Sequence, residues 1–382
     1  MALNKGFKLA LVLPNLGSYG GAVEIGRQLA YELAQNYELC LISYVDYELD
    51  KNPAEQDFKC YSLGCSWDKR LLENIKQAQD PLLRILDQEQ PDMLFALGIS
   101  ESLSAIRACK KRKIPLICCD HGSIYSHWSE SLKWRIVLRI VCAFANKIVN
   151  LTRLNAQGYR QKLFVSPKRL QVIPNWADPS LLKAYENLSS FERKAQLESK
   201  ALLWFGRLSE EKGVDRLFKI AERILLKHPD WRIDIVGSAA SDEEFEAYKK
   251  QASLLSINQD QLRFCGYASD KLKVYSSHSI VVLTSYMEGL PLVLLEAASM
   301  GLPAVSYDIK TGPADIIEDE KTGFLVPDAQ IDEFCAKLDK LMNSYELREQ
   351  MGKSAHEKMQ KDFSKQSIMP KWHALIEEFR TA

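Results

Sequence analysis

Nearly the whole chain alternates short apolar runs with amphipathic stretches, and this alternation narrows the available folds more than any other feature. In the first half the runs are KLALVLP, ELCLISY, MLFAL, PLICCD, KIVNLT and LQVIPN; in the second they are ALLWFG, RIDIVG, LRFCG, IVVLTS, PAVSYD and GFLVP. Each has the length of a strand and is apolar at consecutive positions, so both faces of its sheet must be covered. Helical patterns lie between them, among them AVEIGRQLAYELAQ, SAIRACKKRK, ESLKWRIVLRIVCAFA, VDRLFKIAERILLKH, DEEFEAYKKQASLL and PLVLLEAASM. Repeated β-α units with buried strands predict doubly wound parallel α/β sheets. The pattern breaks once, at LLKAYENLSSFERKAQLESK, which is polar and strandless. The expected organisation is a first α/β domain over 1–178, a linker over 179–200 and a second α/β domain over 201–362. A cleft between the two and a C-terminal helix over 363–382 that returns to the first domain complete it, with Pro370 kinking or starting that helix.

A length of 382 residues suits two domains of ordinary size. No apolar run approaches the roughly 18 residues of a membrane span, and the opening MALNKGFKLALVLPNLG is expected to be a first buried strand, not a signal peptide. Nine scattered cysteines without a CxxC pair suit thiols of a reducing cytoplasm better than disulfides or zinc. Net charge is zero, which makes no case for nucleic acid. Residues 1–178 nevertheless carry 23 Lys and Arg against 18 Asp and Glu, and the remainder 27 against 32. The stretch SLKWRIVLRIVCAFANK sets Lys133, Arg135, Arg139 and Lys147 around Trp134 and an apolar helix face. Such a helix can lie on anionic lipid; the same pattern also describes a core-facing helix with a solvated basic edge.

In open α/β sheets ligands bind beyond the carboxyl ends of the strands, so the loops at those ends carry the chemistry. After the first run comes NLGSYGGAVEIG, where Gly20 and Gly21 open a helix as either a phosphate cradle or a plain tight turn. It is not GxGxxG, and no acidic residue follows the second run at the ribose position of a dinucleotide fold. His121 follows PLICCD beside Gly122, as a cleft residue or an ordinary polar one. WFGRLSEEKGVDRL puts Arg207 and Lys212 in one loop between Gly206 and Gly213, as a diphosphate clamp or a solvated charged loop. In SYMEGLPLVLLEAASM, Pro291 suits the first turn of a helix running to about Met300, with Glu288 in the loop before it and Glu296 nearly two turns inside. At a helical rise their spacing is roughly 12 Å, about the reach of a nucleotide-sugar from ribose to hexose. One carboxylate could hold sugar hydroxyls and the other ribose hydroxyls, with phosphates at the amides of 289–291, that is Gly289, Leu290 and Pro291.

Taken together, the Gly-Gly turn, GRLSEEKG, the Glu-x7-Glu pair and GFLVP resemble retaining glycosyltransferases of family 4, over essentially the whole chain. The resemblance implies the GT-B fold, two Rossmann-like domains facing a central cleft. It implies that Glu288 contacts the transferred sugar, Glu296 the ribose, and Arg207 and Lys212 the diphosphate. It further places His121 near the reacting sugar, Gly20 and Gly21 toward donor and acceptor, and Tyr267 of FCGY beside the base. The donor is expected to be a UDP-sugar, with a GDP-sugar second, and the acceptor a glycan or lipid-linked glycan of surface polysaccharide synthesis, with a possible peripheral contact on the inner membrane face. Leu290 replaces a common Phe, Val23 a common Glu and Trp176 a common Gly, departures that bear on loop shape and acceptor choice. No Asp-x-Asp occurs, and two cations can neutralise the leaving diphosphate, so neither metal nor cofactor is expected. A nucleotide-sugar epimerase or phosphorylase of the same architecture, and a non-catalytic sugar-nucleotide-binding partner of another transferase, are the competing readings.

Overall fold

The computed structural model describes residues 6–17, 21–46 and 58–381. They form two compact units, Met1–Pro174 with Met369–Ala382, and Asn175–Ile368. The first holds β1 (Lys8–Leu13), β2 (Glu38–Val45), β3 (Lys59–Cys65), β4 (Met93–Leu97), β5 (Leu116–Asp120), β6 (Lys147–Asn150) and β7 (Leu170–Val172). Their order is β3-β2-β1-β4-β5-β6-β7, and every neighbouring pair is parallel. The second holds β8 (Ala201–Phe205), β9 (Arg232–Val236), β10 (Leu262–Gly266), β11 (Ile280–Leu283), β12 (Ala304–Asp308) and β13 (Gly323–Pro327). It is again all parallel, in the order β10-β9-β8-β11-β12-β13. The continuous apolar runs give the expected result: all five residues of β4, and the first four of β8, are buried.

In both sheets the strand order reverses beside the first strand, between β1 and β4 and between β8 and β11. Such a switch point leaves a crevice where the helices diverge to opposite faces. Leu203 pairs with Val281, so β8 and β11 end level and their exit loops meet.

Three elements differ from the sequence reading. The stretch 179–200, read as a linker, is two helices, Pro179–Asn187 and Ser190–Glu198, counted with the second unit. They bury Leu181, Gln196 and Leu197, and Gln196 donates to the carbonyls of Tyr275 and Met300 at 3.1 and 3.3 Å. β3 has no counterpart among the apolar runs, because KCYSLGC is half-buried and interrupted by Gly64. The last helix runs Lys365–Arg380 with Pro370 inside it, and only its part from Met369 onward belongs to the first unit. There Trp372 meets Phe95 edge-on at 5.8 Å, and Glu378 pairs with Lys147 at 2.7 Å.

The helix Leu132–Phe144 is two-sided. Val137, Leu138, Val141 and Cys142 enter the core of the first unit, while Leu132, Ile136, Ile140 and Phe144 stand exposed on the opposite face. Lys147, read as part of its basic edge, is buried between Glu378 and the Lys168 carbonyl. Arg135 is half-buried against Trp128. Lys133 and Arg139 remain as exposed cations of that edge.

Candidate active site

The loop after β8 is shaped by a glycine that no other residue could replace without movement. Gly213 has φ +68°, and a Cβ there would lie 2.1 Å from the Thr284 carbonyl oxygen. This close approach fastens the β8 loop to the β11 loop. Thr284 Oγ1 donates to the Lys212 carbonyl at 3.1 Å and accepts from the Trp204 indole at 3.0 Å, while Tyr286 N donates to the Glu211 carbonyl at 2.9 Å. Lys212, at the end of the short turn Glu210–Lys212, is thereby aimed across the switch point. Its Nζ lies 2.8 Å from Glu288 Oε1.

Glu288 is held through one carboxylate oxygen and its backbone carbonyl. Ser285 Oγ donates to the same Oε1 at 2.7 Å, and Thr311 Oγ1 donates to its backbone carbonyl at 2.5 Å. Thr311 sits beside Gly312, whose φ of +101° and near contact with Pro291 Cδ (2.7 Å from a built Cβ) also demand glycine. Below the loop, buried Arg216 stacks on Tyr286 at 3.7 Å and Tyr307 at 4.7 Å, and its guanidinium pairs with Asp328 at 2.8 Å. Tyr286 donates in turn to Asp215 at 2.8 Å. Lys212 and Glu288 keep 24% and 10% of their side-chain surface, so the pair is sheltered yet reachable.

The second carboxylate has its own enclosure. The helix after Pro291 runs Leu292–Ser299, so Glu296 lies just over one turn inside it, and a helical rise applies only from Leu292 onward. Pro291 has no N–H, so of residues 289–291 only Gly289 and Leu290 offer amides. Glu296 Oε1 accepts from Lys271 Nζ at 2.7 Å and Oε2 from Tyr275 Oη at 2.8 Å. Burial raises its pKa; Lys271 and Tyr275 oppose that shift, and Asp178 adds to it.

The remaining sequence candidates are placed less tightly. Arg207 is largely exposed, 4.0 Å from Glu211. Tyr267 is 67% exposed beyond β10, and Leu290 is buried under the loop. In the first unit, Gly21 is exposed at the start of the helix Gly21–Ala34, and Gly20 lies outside the described residues. His121 directly follows β5 and is half-buried; its Nδ1 is enclosed without a partner. Burial pulls its pKa down to about 4 against the pull of Asp120, so it is a neutral imidazole at neutral pH. Beneath it Asp120 accepts from Tyr159 Oη at 2.8 Å and Asn155 Nδ2 at 3.0 Å, and Asn155 Oδ1 accepts from Ile124 N at 2.7 Å.

Sequence reasoning missed Ser285, Thr311, Arg216, Lys271, Tyr275 and this Asp120 network. Only Tyr275 carried a local signal, a lone aromatic four residues after Lys271 on the same helix face.

Beside this arrangement of a sheltered Lys-Glu pair, a second buried carboxylate and a helix start at a parallel-sheet switch point, comparison with known proteins identifies the family. Residues 19–181 match the model "Glycosyltransferase Family 4" and residues 187–358 the model "Glycosyl transferases group 1". An uncharacterized glycosyltransferase of Haemophilus influenzae is 29% identical, with 97% of this chain and 99% of that protein covered. The amylovoran biosynthesis glycosyltransferase AmsD of Erwinia amylovora is 26% identical with the same coverage. Among solved structures, Anabaena HepE in complex with UDP-glucose superposes with a TM-score of 0.78 at 16% identity, covering 98% of this chain and 100% of that one, and so shares its fold. With both halves accounted for, the chain belongs to the family 4 glycosyltransferases and has the GT-B fold.

Proposed function

We propose that this enzyme transfers a hexose or N-acetylhexosamine from a nucleotide-sugar, a UDP-sugar first and a GDP-sugar second, to a glycan or lipid-linked glycan in surface polysaccharide synthesis. The observation that carries the reading is the Lys212–Glu288 pair, 2.8 Å across the β8–β11 switch point, where a diphosphate and a sugar would find their respective partners. Breaking the glycosidic bond leaves negative charge on the diphosphate and develops positive charge on the sugar. Preorganised cations at the first, and a carboxylate beside the second, stabilise both where water is scarce. In this scheme Lys212 leaves Glu288 for the diphosphate, joined by Arg207 and the Gly289 and Leu290 amides, and Glu288 takes sugar hydroxyls. Glu296 receives the ribose diol, and Tyr267 lies toward the base. His121, neutral at the working pH, serves as a hydrogen-bond partner of the sugar, and the glycines Gly20 and Gly21 serve donor and acceptor.

Retention, with transfer on one face of the donor, is what the family 4 resemblance implies, and independence of metal goes with assigning charge neutralisation to Arg207 and Lys212. The UDP-glucose bound by HepE and the role of AmsD in amylovoran biosynthesis support the choice of donor and of pathway class. The test is a screen of nucleotide-sugars by thermal shift, then mass spectrometry with polysaccharide and lipid-linked acceptors. Transfer of mass from one donor to an acceptor supports the reading. Sugar product formed without acceptor would assign the chain to epimerase-like chemistry instead.

A lipid-linked acceptor calls for contact with a membrane face. No helix of the described residues is long and apolar enough to cross a membrane. Leu132, Ile136, Ile140 and Phe144 form an outward stripe four residues apart, about 18 Å long at a helical rise, with Lys133 and Arg139 beside it. Apolar side chains rimmed by cations suit the surface of an anionic bilayer.

A further inference from the structure

Two residues one helical turn apart, Lys271 and Tyr275, hold one oxygen each of Glu296, at 2.7 and 2.8 Å. They are not equivalent. Tyr275 is fully buried and closes the inner side, whereas Lys271 keeps 38% of its side-chain surface and stands on the side from which a ligand must come. A vicinal diol offers two donors and needs an acceptor carboxylate; a protonated carboxyl uses one oxygen as a donor itself and fits it poorly. Glu296 is 8% exposed, so its charge persists only with an ionic partner.

We propose that Lys271 is a positioning residue for nucleotide recognition: it keeps Glu296 a carboxylate before the nucleotide binds and yields Oε1 to the ribose diol. This rests on the reading of Glu296 as the ribose ligand. Among the described residues, the groups facing Glu296 are few. From the helix Lys271–Ser276 come Lys271 and Tyr275, and from the turn before Pro179–Asn187 comes Asp178, whose negative charge works against ionisation. On the neighbouring helix Tyr345–Asp362, His356 turns instead to the Ser299 carbonyl at 2.7 Å. Removal of Lys271 therefore leaves burial and Asp178 opposed only by the Tyr275 hydroxyl, and Glu296 takes up a proton at higher pH.

The experiment is calorimetric titration of the full chain with UDP and with 2′-deoxy-UDP across a pH series, for wild type, Lys271→Met, Lys271→Arg and Glu296→Gln. In Lys271→Met, UDP affinity falls about tenfold per pH unit once Glu296 protonates, at pH values where wild type is still flat, and the preference for UDP over 2′-deoxy-UDP shrinks with it. Lys271→Arg keeps the wild-type profile, and Glu296→Gln binds UDP weakly at every pH. A Lys271→Met profile parallel to wild type overturns the inference while leaving the ribose assignment intact. UDP affinity unchanged in Glu296→Gln overturns the ribose assignment itself.

Discussion

The carboxyl edges of the two sheets share a pattern of strand-order reversal and differ sharply in their polar chemistry. At the edge of the second sheet, charge meets charge: Lys212 with Glu288 and Lys271 with Glu296, on loops fastened by Thr284, Thr311 and Arg216. At the edge of the first sheet, the buried side chains are mainly a carboxylate with neutral partners, Asp120 with Asn155 and Tyr159, beneath a neutral His121. A site that must meet two phosphates needs full charges in fixed positions. A site that orients hydroxyls needs donors and acceptors, and strong fields there would be a hindrance. Under the proposed function the two edges would serve two tasks, and what distinguishes them is the side chains gathered at the strand ends.

The largest break in this contrast comes from the ion pair. Lys212→Ala lowers turnover by about 10²-fold to 10³-fold, as expected for loss of a preorganised charge at the leaving group. Glu288→Gln, which leaves Lys212 a neutral amide oxygen in place of its charged partner, belongs in the same range. Steady-state kinetics with a fixed acceptor measures both, and near-wild-type rates in both would remove the pair from the mechanism. Arg207→Ala, at a more exposed position, costs about 10²-fold. Activity is expected to persist in excess EDTA; loss of activity that magnesium or manganese restores would transfer the charge-neutralising role to a metal.

A gentler test addresses His121. Its pKa in the folded chain, about 4, lies below the ordinary histidine value of about 6.5. Between those values the unfolded chain binds the proton and the folded chain does not, so stability falls as pH drops through that window. His356 and His373 are lowered too and contribute in the same direction. Urea midpoints of His121→Asn should therefore fall less steeply from pH 6.5 to 4 than those of wild type, and identical slopes would place His121 in an ordinary hydrated setting. The smallest effect is expected at the helix Leu132–Phe144. Ile136→Ser with Ile140→Ser, or Lys133→Glu with Arg139→Glu, should weaken flotation with anionic vesicles while leaving turnover of a soluble acceptor near wild type. Binding that ignores salt and both double variants would argue against a lipid-facing role.

The sheets were legible because parallel strands buried on both faces leave continuous apolar runs; β3 escaped because its face is only half-covered. The loop positions of Arg207, Lys212 and Glu288, and the helical position of Glu296, could be placed from the strands that precede them. Their partners could not: Lys212 lies 76 positions from Glu288, and Lys271 lies 25 from Glu296. Such polar contacts across a fold leave no periodicity. Lys147 misled for the same reason, since its partner Glu378 is supplied by the last helix. The outward stripe on Leu132–Phe144 was half-visible, as an apolar face whose direction only packing could decide.

If the edge of the second sheet is the donor site, a bound nucleotide raises the local opening free energy of the backbone that holds it. Hydrogen–deuterium exchange of the full chain, with and without UDP, reads that change segment by segment. Exchange should slow across 206–213, 285–296 and 266–276. Unchanged exchange in all three segments under saturating UDP, with slowing confined to the first unit, would place the donor elsewhere and undo the assignment.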